Sequence, residues 1–112
     1  MTTFCDLTQG KCKPCEGGVP PLAEDEIAAL MQRLDGWSRI GHAIAKTYHF
    51  KDYHETMAFV NAGAWISHRE GHHPDLAVGY NKVTVTYVTH AIGGLSENDF
   101  ICAAKIDALF AL

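Results

Sequence analysis

Hydrophobic residues along the first half of the chain follow two different spacings. A stripe at helical spacing predicts a first helix, which Asp35-Gly36 ends; its members are Ile27, Leu30, Met31 and Leu34. Residues 37–40 and 43–50 then alternate with the period of two that is typical of strands, around the turn Gly41-His42. We therefore expect a helix followed by a β-hairpin.

The second half of the chain predicts the same kinds of element again. Asp52, with Glu55 three residues later, is typical of a helix start, and we expect a helix from there to about His68. Between residues 57 and 66 every side chain except Asn61 is apolar or small, so this helix must be covered on more than one side. Two strands, at 75–80 and 83–90, and a last helix that begins at Ser96 complete the pattern.

This order of elements, α-β-β-α-β-β-α, predicts an α+β fold. Hairpins favour antiparallel pairing, so we expect a four-stranded antiparallel sheet with three helices packed on one face. Residues 1–21 show no periodicity and are expected to form an extended arm, either docked on the domain or loose, whereas residues 22–112 are expected to form the folded domain. On the last strand, alternation places His90 on the more polar face, together with Thr84 and Thr86.

Composition narrows the class of protein. A chain of 112 residues with 47% hydrophobic and 20% charged residues suits one compact domain. A net charge of -4, with lysine and arginine scattered singly, disfavours direct nucleic-acid binding. No window approaches the ~20 apolar residues of a membrane span, and the opening residues lack the pattern of a signal peptide, so we expect a cytoplasmic protein without a membrane partner. A domain of this size leaves much apolar surface exposed, which favours an oligomer.

Histidines supply the first candidate chemistry. Three of the seven, namely His72, His73 and His90, fall within nineteen residues. Imidazole has an ordinary pKa of about 6.5 and can therefore give or take protons near neutral pH. Pro74 biases His73 towards an extended backbone, so the two adjacent rings are not expected to lie side by side.

Cysteines supply a second, weaker candidate. The pair Cys12 and Cys15 has the two-residue spacer of a zinc knuckle or a redox pair, and Cys5 could add a third ligand. A metal-dependent protein built on these cysteines and the histidines is therefore an alternative. A structural zinc site usually needs four ligands, however, and only one such pair is present, so we expect a reduced tail and no metal site. Cys102 lies in an apolar helical pattern and is expected to be a small core residue.

Several short motifs together resemble the pterin-4a-carbinolamine dehydratase family. The resemblance covers about residues 22–112, and the arm with its Cys12-Lys13-Pro14-Cys15 resembles the amino-terminal extension of bacterial members. The motifs that carry it are Tyr48-His49-Phe50-Lys51-Asp52-Tyr53, His72-His73-Pro74-Asp75, Tyr80-Asn81-Lys82-Val83, Thr89-His90, and Gly94-Leu95-Ser96 with Asp99.

The resemblance implies a reaction and a set of site residues. The reaction is the dehydration of 4a-hydroxytetrahydropterin to quinonoid dihydropterin, which recycles the pterin of an aromatic amino acid hydroxylase. An acid near the leaving hydroxyl and a base near N5 suffice, so no metal or organic cofactor is expected. The catalytic residues implied are His72, His73 and His90, without an assignment of acid and base, and the substrate-binding residues implied are Trp37, Pro74 and Asp99.

The chain departs from the animal members of this family at a few positions. His68 stands four residues before His72, where a glutamate is frequent, and Gly71 stands where an aspartate or asparagine is frequent. Glu70 is nearby, but the sequence assigns no acidic partner to the histidines. Asn98 replaces a frequent arginine, so a cationic contact to substrate from that position is not expected.

A second function class is open for the same fold. Proteins of this fold also serve as non-catalytic dimerisation cofactors or as assembly factors for other enzymes. The complete trio of His72, His73 and His90 favours catalysis over that alternative. In either case the resemblance and the apolar helix at 57–66 favour a homodimer or homotetramer.

Overall fold

The computed structural model describes residues 7–10, 12 and 20–111. Cys5 and Cys15, on which the metal alternative depends, lie outside the described residues. The helices and strands have the expected order α-β-β-α-β-β-α. In chain order they are α1 (Glu24–Met31), β1 (Ser38–Ile40), β2 (Ala43–His49), α2 (Tyr53–Glu70), β3 (Asp75–Val78), β4 (Lys82–Tyr87) and α3 (Glu97–Asp107).

The four strands form one antiparallel sheet in the order β1-β2-β4-β3. Its two central strands pair in a register that places Ile44 opposite Tyr87 and Tyr48 opposite Val83. Cross-strand partners point to the same face of a sheet. The inward residues of β2 and β4 therefore form one mainly apolar surface, interrupted by the half-buried Lys46 opposite Val85; Ile44 and Tyr48 lie on one face, as the period of two predicted.

All three helices contribute to the core on that face. Ile27 of α1, Phe59 of α2, and Phe100 and Ile106 of α3 are buried in the same cluster as the inward residues of the sheet. The opposite face carries small and hydroxyl side chains, among them the exposed pair Thr47 and Thr84. The expected α+β fold, with its helices on one face of the sheet, is confirmed.

Helix α2 begins and ends with local signals that position the site. The Asp52 carboxylate accepts a hydrogen bond from the Glu55 N–H at 2.9 Å, so the predicted helix start is confirmed. The helix runs two residues past His68 and ends at Gly71, whose φ of +64° is one that glycine adopts without strain. This left-handed residue turns the chain sharply into residues 72–74.

One face of α2 remains uncovered in the single chain. Only Thr56 and Phe59 of this helix are buried, and Trp65 is 61% exposed. The expectation that this apolar helix is covered on more than one side is thus not met by the chain's own described residues. None of the helices in the described part of the chain is long and apolar enough to cross a membrane.

The end of the last strand corrects one expectation. Strand β4 ends at Tyr87, and His90 opens a 3-10 turn instead of lying on a strand face. The Thr89 N–H donates to the Gly94 carbonyl at 3.0 Å, and Gly93 has a φ of +66°, so the backbone folds back on itself here. The alternation of residue types runs on to His90, whereas the strand ends at Tyr87, because Thr89 pairs with Gly94 and closes a turn in which His90 lies. The expected placement of His90 on the polar face of a strand was therefore wrong.

Other element ends differ by a few residues. Helix α1 ends at Met31, before Leu34, although Leu34 still packs against the core. Helix α3 ends at Asp107, and its last predicted apolar residues lie in a 3-10 turn, Ala108–Ala111. At both ends the α-helix gives way to a tighter turn. The stripe of apolar residues continues through that turn and is therefore longer than the helix itself.

Candidate active site

A cavity of about 550 Å³ lies between α2 and the sheet, at the turn that follows α2. Its walls are mainly apolar, and histidines lie at one end. The lining residues are Phe59, Val60, Gly63, Ala64, Ser67, His68, Gly71, His72, His73, Pro74, Leu76, Val85 and Ile106. Sites for small molecules usually fall in this size range and combine apolar walls with a few polar groups.

His72 is held by a buried carboxylate. Its Nε2 lies 2.6 Å from Oδ1 of Asp99, and Asp99 is fully buried. The imidazole side chain itself is 13% exposed, so one edge remains open to the cavity that it lines. The two residues are far apart in the chain and are brought together by the packing of the start of α3 against the turn after α2.

The other oxygen of the same carboxylate is also occupied. Oδ2 of Asp99 accepts hydrogen bonds from the Thr89 hydroxyl at 2.7 Å and from the Ser96 N–H at 3.0 Å. The second of these confirms Asp99 as part of the predicted cap of α3. Since both oxygens are bonded, the carboxylate is fixed in orientation and fixes the imidazole in turn.

The hydrogen bond to Asp99 decides which nitrogen of His72 is available. An ionised carboxylate only accepts hydrogen bonds, so Nε2 carries the hydrogen. In the neutral ring, Nδ1 then holds the lone pair and is the nitrogen that can accept a proton. The arrangement of carboxylate and imidazole is the one that stabilises an imidazolium once that proton has been taken.

Tyr87 supports the ring of His72 from one side. The two ring centroids lie 5.8 Å apart with an interplanar angle of 11°. Tyr87 is fully buried, and burial raises the pKa of its phenol. Among the described residues the phenol oxygen makes no hydrogen bond of ordinary geometry; its polar neighbour is the hydroxyl of Ser67, which donates to the Gly63 carbonyl.

The neighbouring residues of the turn are less tightly held. His73 is exposed and lines the cavity; its Nδ1 lies 3.5 Å from the Pro74 carbonyl, at the long limit of a hydrogen bond. Pro74 lines the cavity as well. The cavity thus brings together three of the expected site residues, His72, His73 and Pro74.

Comparisons with known proteins assign the chain to a family. Residues 20–109 match the family model described as pterin 4 alpha carbinolamine dehydratase. The chain belongs to this family. It is 66% identical over 111 residues to a protein of Nitrosospira multiformis, with 99% of this chain and 98% of the relative covered. It is 63% identical over 111 residues to a protein of Nitrosomonas europaea, with 98% of each chain covered. Both relatives are provisionally named pterin-4-alpha-carbinolamine dehydratase.

Solved structures of similar proteins include members with other roles. The chain resembles the transcriptional coactivator/pterin dehydratase of Brucella melitensis with a TM-score of 0.76 and 33% identity, over 80% of this chain and 97% of that one. It also resembles a pterin dehydratase-like protein identified as a RuBisCO assembly factor in the alpha-carboxysome, with a TM-score of 0.54 and 30% identity, over 65% and 84% of the two chains. Family membership alone therefore does not decide between catalysis and assembly.

His90, the third histidine implied by the family resemblance, lies apart from the cavity walls. It is exposed at the start of the 3-10 turn after β4 and is absent from the lining formed by the described residues. Its connection to the site is through the chain, because the preceding Thr89 donates to Asp99. Its catalytic role stays a prediction.

Trp37 and Asp99, both expected to bind the pterin of the family reaction, are buried. The Trp37 indole N–H donates to Asp107 at 3.0 Å, and its ring packs against Tyr48 and Tyr87. The environment of Trp37 is thus that of a core residue. Asp99 has both oxygens bonded within the protein. Direct contact of either residue with substrate stays a prediction.

Two supporting residues were missed at the sequence level. Thr89 was singled out only as part of the Thr89-His90 motif, and Tyr87 was given no role at the site. Glu70, the acidic residue nearest to His72 in sequence, bonds instead to Lys105 and to the backbone of Cys12, each at 3.0 Å. Among the described residues no group of three or more His, Cys, Asp or Glu side chains is arranged to hold a metal.

Proposed function

We propose that this protein dehydrates 4a-hydroxytetrahydropterin to quinonoid dihydropterin by histidine acid and base catalysis. In the reaction N5 loses its proton, the bond between C4a and the hydroxyl oxygen breaks, and the hydroxyl leaves as water. The observation that carries this proposal is His72, which lines the cavity while the buried Asp99 holds its Nε2. Such a pair is suited to taking a proton and stabilising the resulting charge.

The cavity suits a flat bicyclic substrate. Its apolar lining comes from several elements, with Val60 on α2, Leu76 on β3 and Ile106 on α3. A pterin ring placed there would have apolar surface against its faces and the histidine end near its reacting edge. The fit supports a substrate of this class and requires neither a metal nor an organic cofactor.

We assign the base to His72, since its Nε2 is bonded to Asp99 and Nδ1 is its available nitrogen. The acid that protonates the leaving hydroxyl is then His73 or His90. His73 is the better placed of the two, because it lines the same cavity and its ring is only weakly held. Each such proton transfer is worth about 10² to 10⁴-fold in rate.

The decisive experiment measures the dehydration rate with substrate generated in place by a phenylalanine hydroxylase. The wild-type protein is compared with His72→Ala and His73→Ala, and with His42→Ala as a matched control on the exposed β1–β2 turn. We expect the wild type and His42→Ala to accelerate dehydration and the two site variants to lose most of that acceleration. A wild-type rate equal to the spontaneous rate would exclude the proposal.

The second candidate function is a non-catalytic dimerisation or assembly-factor module. It is favoured by the similarity to the RuBisCO assembly factor and by the exposed apolar face of α2. In that case function would depend on the surface that includes Trp65 and not on His72. Absence of catalysis in the assay above, together with a partner that His72→Ala still binds, would support this candidate.

Self-association is part of both candidates. Three large apolar side chains, Trp65 on α2 and Leu76 and Val78 on the edge strand β3, are between 42% and 61% exposed, and exposed apolar surface of this kind is typical of interaction sites. We propose that a homodimer or homotetramer covers them. Light scattering of the wild type against Trp65→Glu tests this, with His42→Glu on the exposed β1–β2 turn as a charge control away from that face; a wild-type monomer would contradict the proposal.

A further inference from the structure

Two thiols that the proposed reaction does not use are in contact behind the site. The Sγ atoms of Cys12 and Cys102 lie 3.3 Å apart. A disulfide has a sulfur–sulfur bond of about 2.05 Å, so roughly 1.3 Å of movement separates this contact from a covalent bond. The two cysteines are ninety positions apart in the chain, so only the docking of the arm brings them together.

The arm segment that carries Cys12 is attached to the domain at several points. The Cys12 N–H donates to Glu70 at 3.0 Å, and the Cys12 thiol lies 3.7 Å from the Asn98 carbonyl. Leu7 packs against the hydrophobic core, and a Cβ at Gly10 would meet Ile101 of α3 at 2.9 Å. The contact between the sulfurs is therefore built by a docked segment and not by a chance approach of a free tail.

The two thiols differ in accessibility. Cys102 is fully buried in the middle of α3, whereas Cys12 is only partly buried. The hydrogen bond with Cys12, together with burial, raises the pKa of the Cys102 thiol, so Cys102 keeps its proton until its partner reacts. Cys12 is thus the sulfur that an oxidant from solution meets first.

We propose that Cys12 and Cys102 form a reversible oxidation site that a peroxide converts to a disulfide. The Cys12 thiolate attacks one peroxide oxygen, a sulfur–oxygen bond forms, the oxygen–oxygen bond breaks, and the other oxygen leaves as water after taking up a proton. Cys102 then attacks the sulfur of the resulting sulfenic acid; a sulfur–sulfur bond forms, and the hydroxyl leaves with the proton of Cys102 as a second water. Two thiols lose two electrons and two protons, and the peroxide is reduced to water.

The position of the pair gives the bond a structural consequence. The Cys102 thiol lies 3.9 Å from the carbonyl of His72, and Cys102 follows Asp99 by one turn of α3. A disulfide at this point would fasten the arm to the helix that holds His72. Formation of the bond does not depend on the pterin reaction, so it can be tested whether or not the protein is a dehydratase.

The test is peroxide treatment of the full-length protein, alkylation of the remaining thiols and peptide mapping by mass spectrometry. We expect one cross-linked product that joins Cys12 to Cys102, lacks two hydrogen atoms and is reversed by dithiothreitol. It should form equally in a variant that carries Cys5→Ser and Cys15→Ser. A Cys12–Cys15 or Cys5–Cys12 bond in its place, or the absence of any intramolecular bond, would overturn the proposal.

A second measurement keeps the test valid if changes at the buried Cys102 impair folding. Cys12→Ser replaces one sulfur atom at the edge of the core, leaves the buried Cys102 in place and should abolish the cross-link. Because the bond closes a long loop and restricts the unfolded chain, oxidation should raise the unfolding midpoint of the wild type by about 10 °C. The midpoint of Cys12→Ser should not move on the same treatment; an equal rise in this variant would overturn the proposal.

Discussion

Asp99 Oδ1 lies 2.6 Å from Nε2 of His72, and the same carboxylate caps the helix on which it lies. One buried side chain thus accepts a hydrogen bond from the backbone N–H of Ser96 at the start of α3. The same side chain sets the tautomer of His72, on the turn after α2. The capping role alone would explain an acidic residue at position 99. The contact with His72 gives the same residue a second role, at the candidate active site.

Replacing Asp99 by asparagine should lower turnover by about 10² to 10³-fold with a smaller effect on KM. The asparagine oxygen can still accept the Ser96 N–H, but a neutral amide does not stabilise an imidazolium at His72. Steady-state kinetics across pH 5–9 measure this, since the pH profile of turnover should change shape as well as height.

Glu97→Gln is the control for that variant. It removes a negative charge from the same first turn of α3, but Glu97 is exposed. Its turnover should equal that of the wild type. If Asp99→Asn also keeps wild-type turnover, or loses activity only because it unfolds, the role assigned to the contact between Asp99 and His72 is wrong.

His90→Ala should reduce turnover by orders of magnitude while the protein remains folded. The reduction is expected from the family resemblance, and retention of the fold is expected because the side chain is exposed. Thermal unfolding and the dehydration assay together check both parts. Full turnover in His90→Ala would remove this histidine from the catalytic set and leave His73 as the acid.

Tyr87→Phe and Tyr87→Leu should separate the hydroxyl of this residue from its ring. The buried hydroxyl makes no hydrogen bond of ordinary geometry with the described residues, and Ser67 is its polar neighbour, so its removal should change the free energy of unfolding by no more than about 1 kcal/mol. Tyr87→Leu removes the ring that stacks on His72 and should cost about 2–4 kcal/mol. Denaturant unfolding measures both, and a large loss in Tyr87→Phe would show that the hydroxyl has a structural role.

The two buried tyrosines predict a loss of stability at high pH. Burial raises the pKa of both Tyr48 and Tyr87 above the ordinary value of 10.0, and the Tyr48 hydroxyl also donates to Asp107. Below pH 10 both states hold their phenolic protons, and the stabilisation is complete. As pH rises above 10 the unfolded chain loses these protons while the folded protein retains them, so the free energy of unfolding should fall.

Denaturant unfolding of the wild type, Tyr87→Phe and Tyr53→Phe between pH 9 and 11.5 tests the origin of that loss of stability. Tyr87→Phe removes one of the two titrating phenols, so its stability should decline less steeply with pH than that of the wild type. Tyr53→Phe, which removes an exposed phenol, serves as the control and should follow the wild type. Identical slopes for all three proteins would assign the alkaline loss to other groups.

Local signals in the sequence were sufficient for the elements and the fold class. The period of two through β2 and β4 and the caps at Asp52 and Ser96 are carried by neighbouring residues, and the structure confirms them. The end of β4 was misplaced because alternation of residue types continued to His90, whereas the hydrogen bond from Thr89 to Gly94 closes a turn that contains His90 and Gly93.

The tertiary structure decided which of these residues meet. Asp99 acts on His72 and Cys12 touches Cys102 only because α3, the turn after α2 and the arm pack together. The sequence by itself determined the three histidines, the apolar stripes and the cap, because each depends on residue type and short spacing. It could not pair side chains that lie tens of positions apart, since those contacts follow from how the helices settle on the sheet and from which groups are buried there.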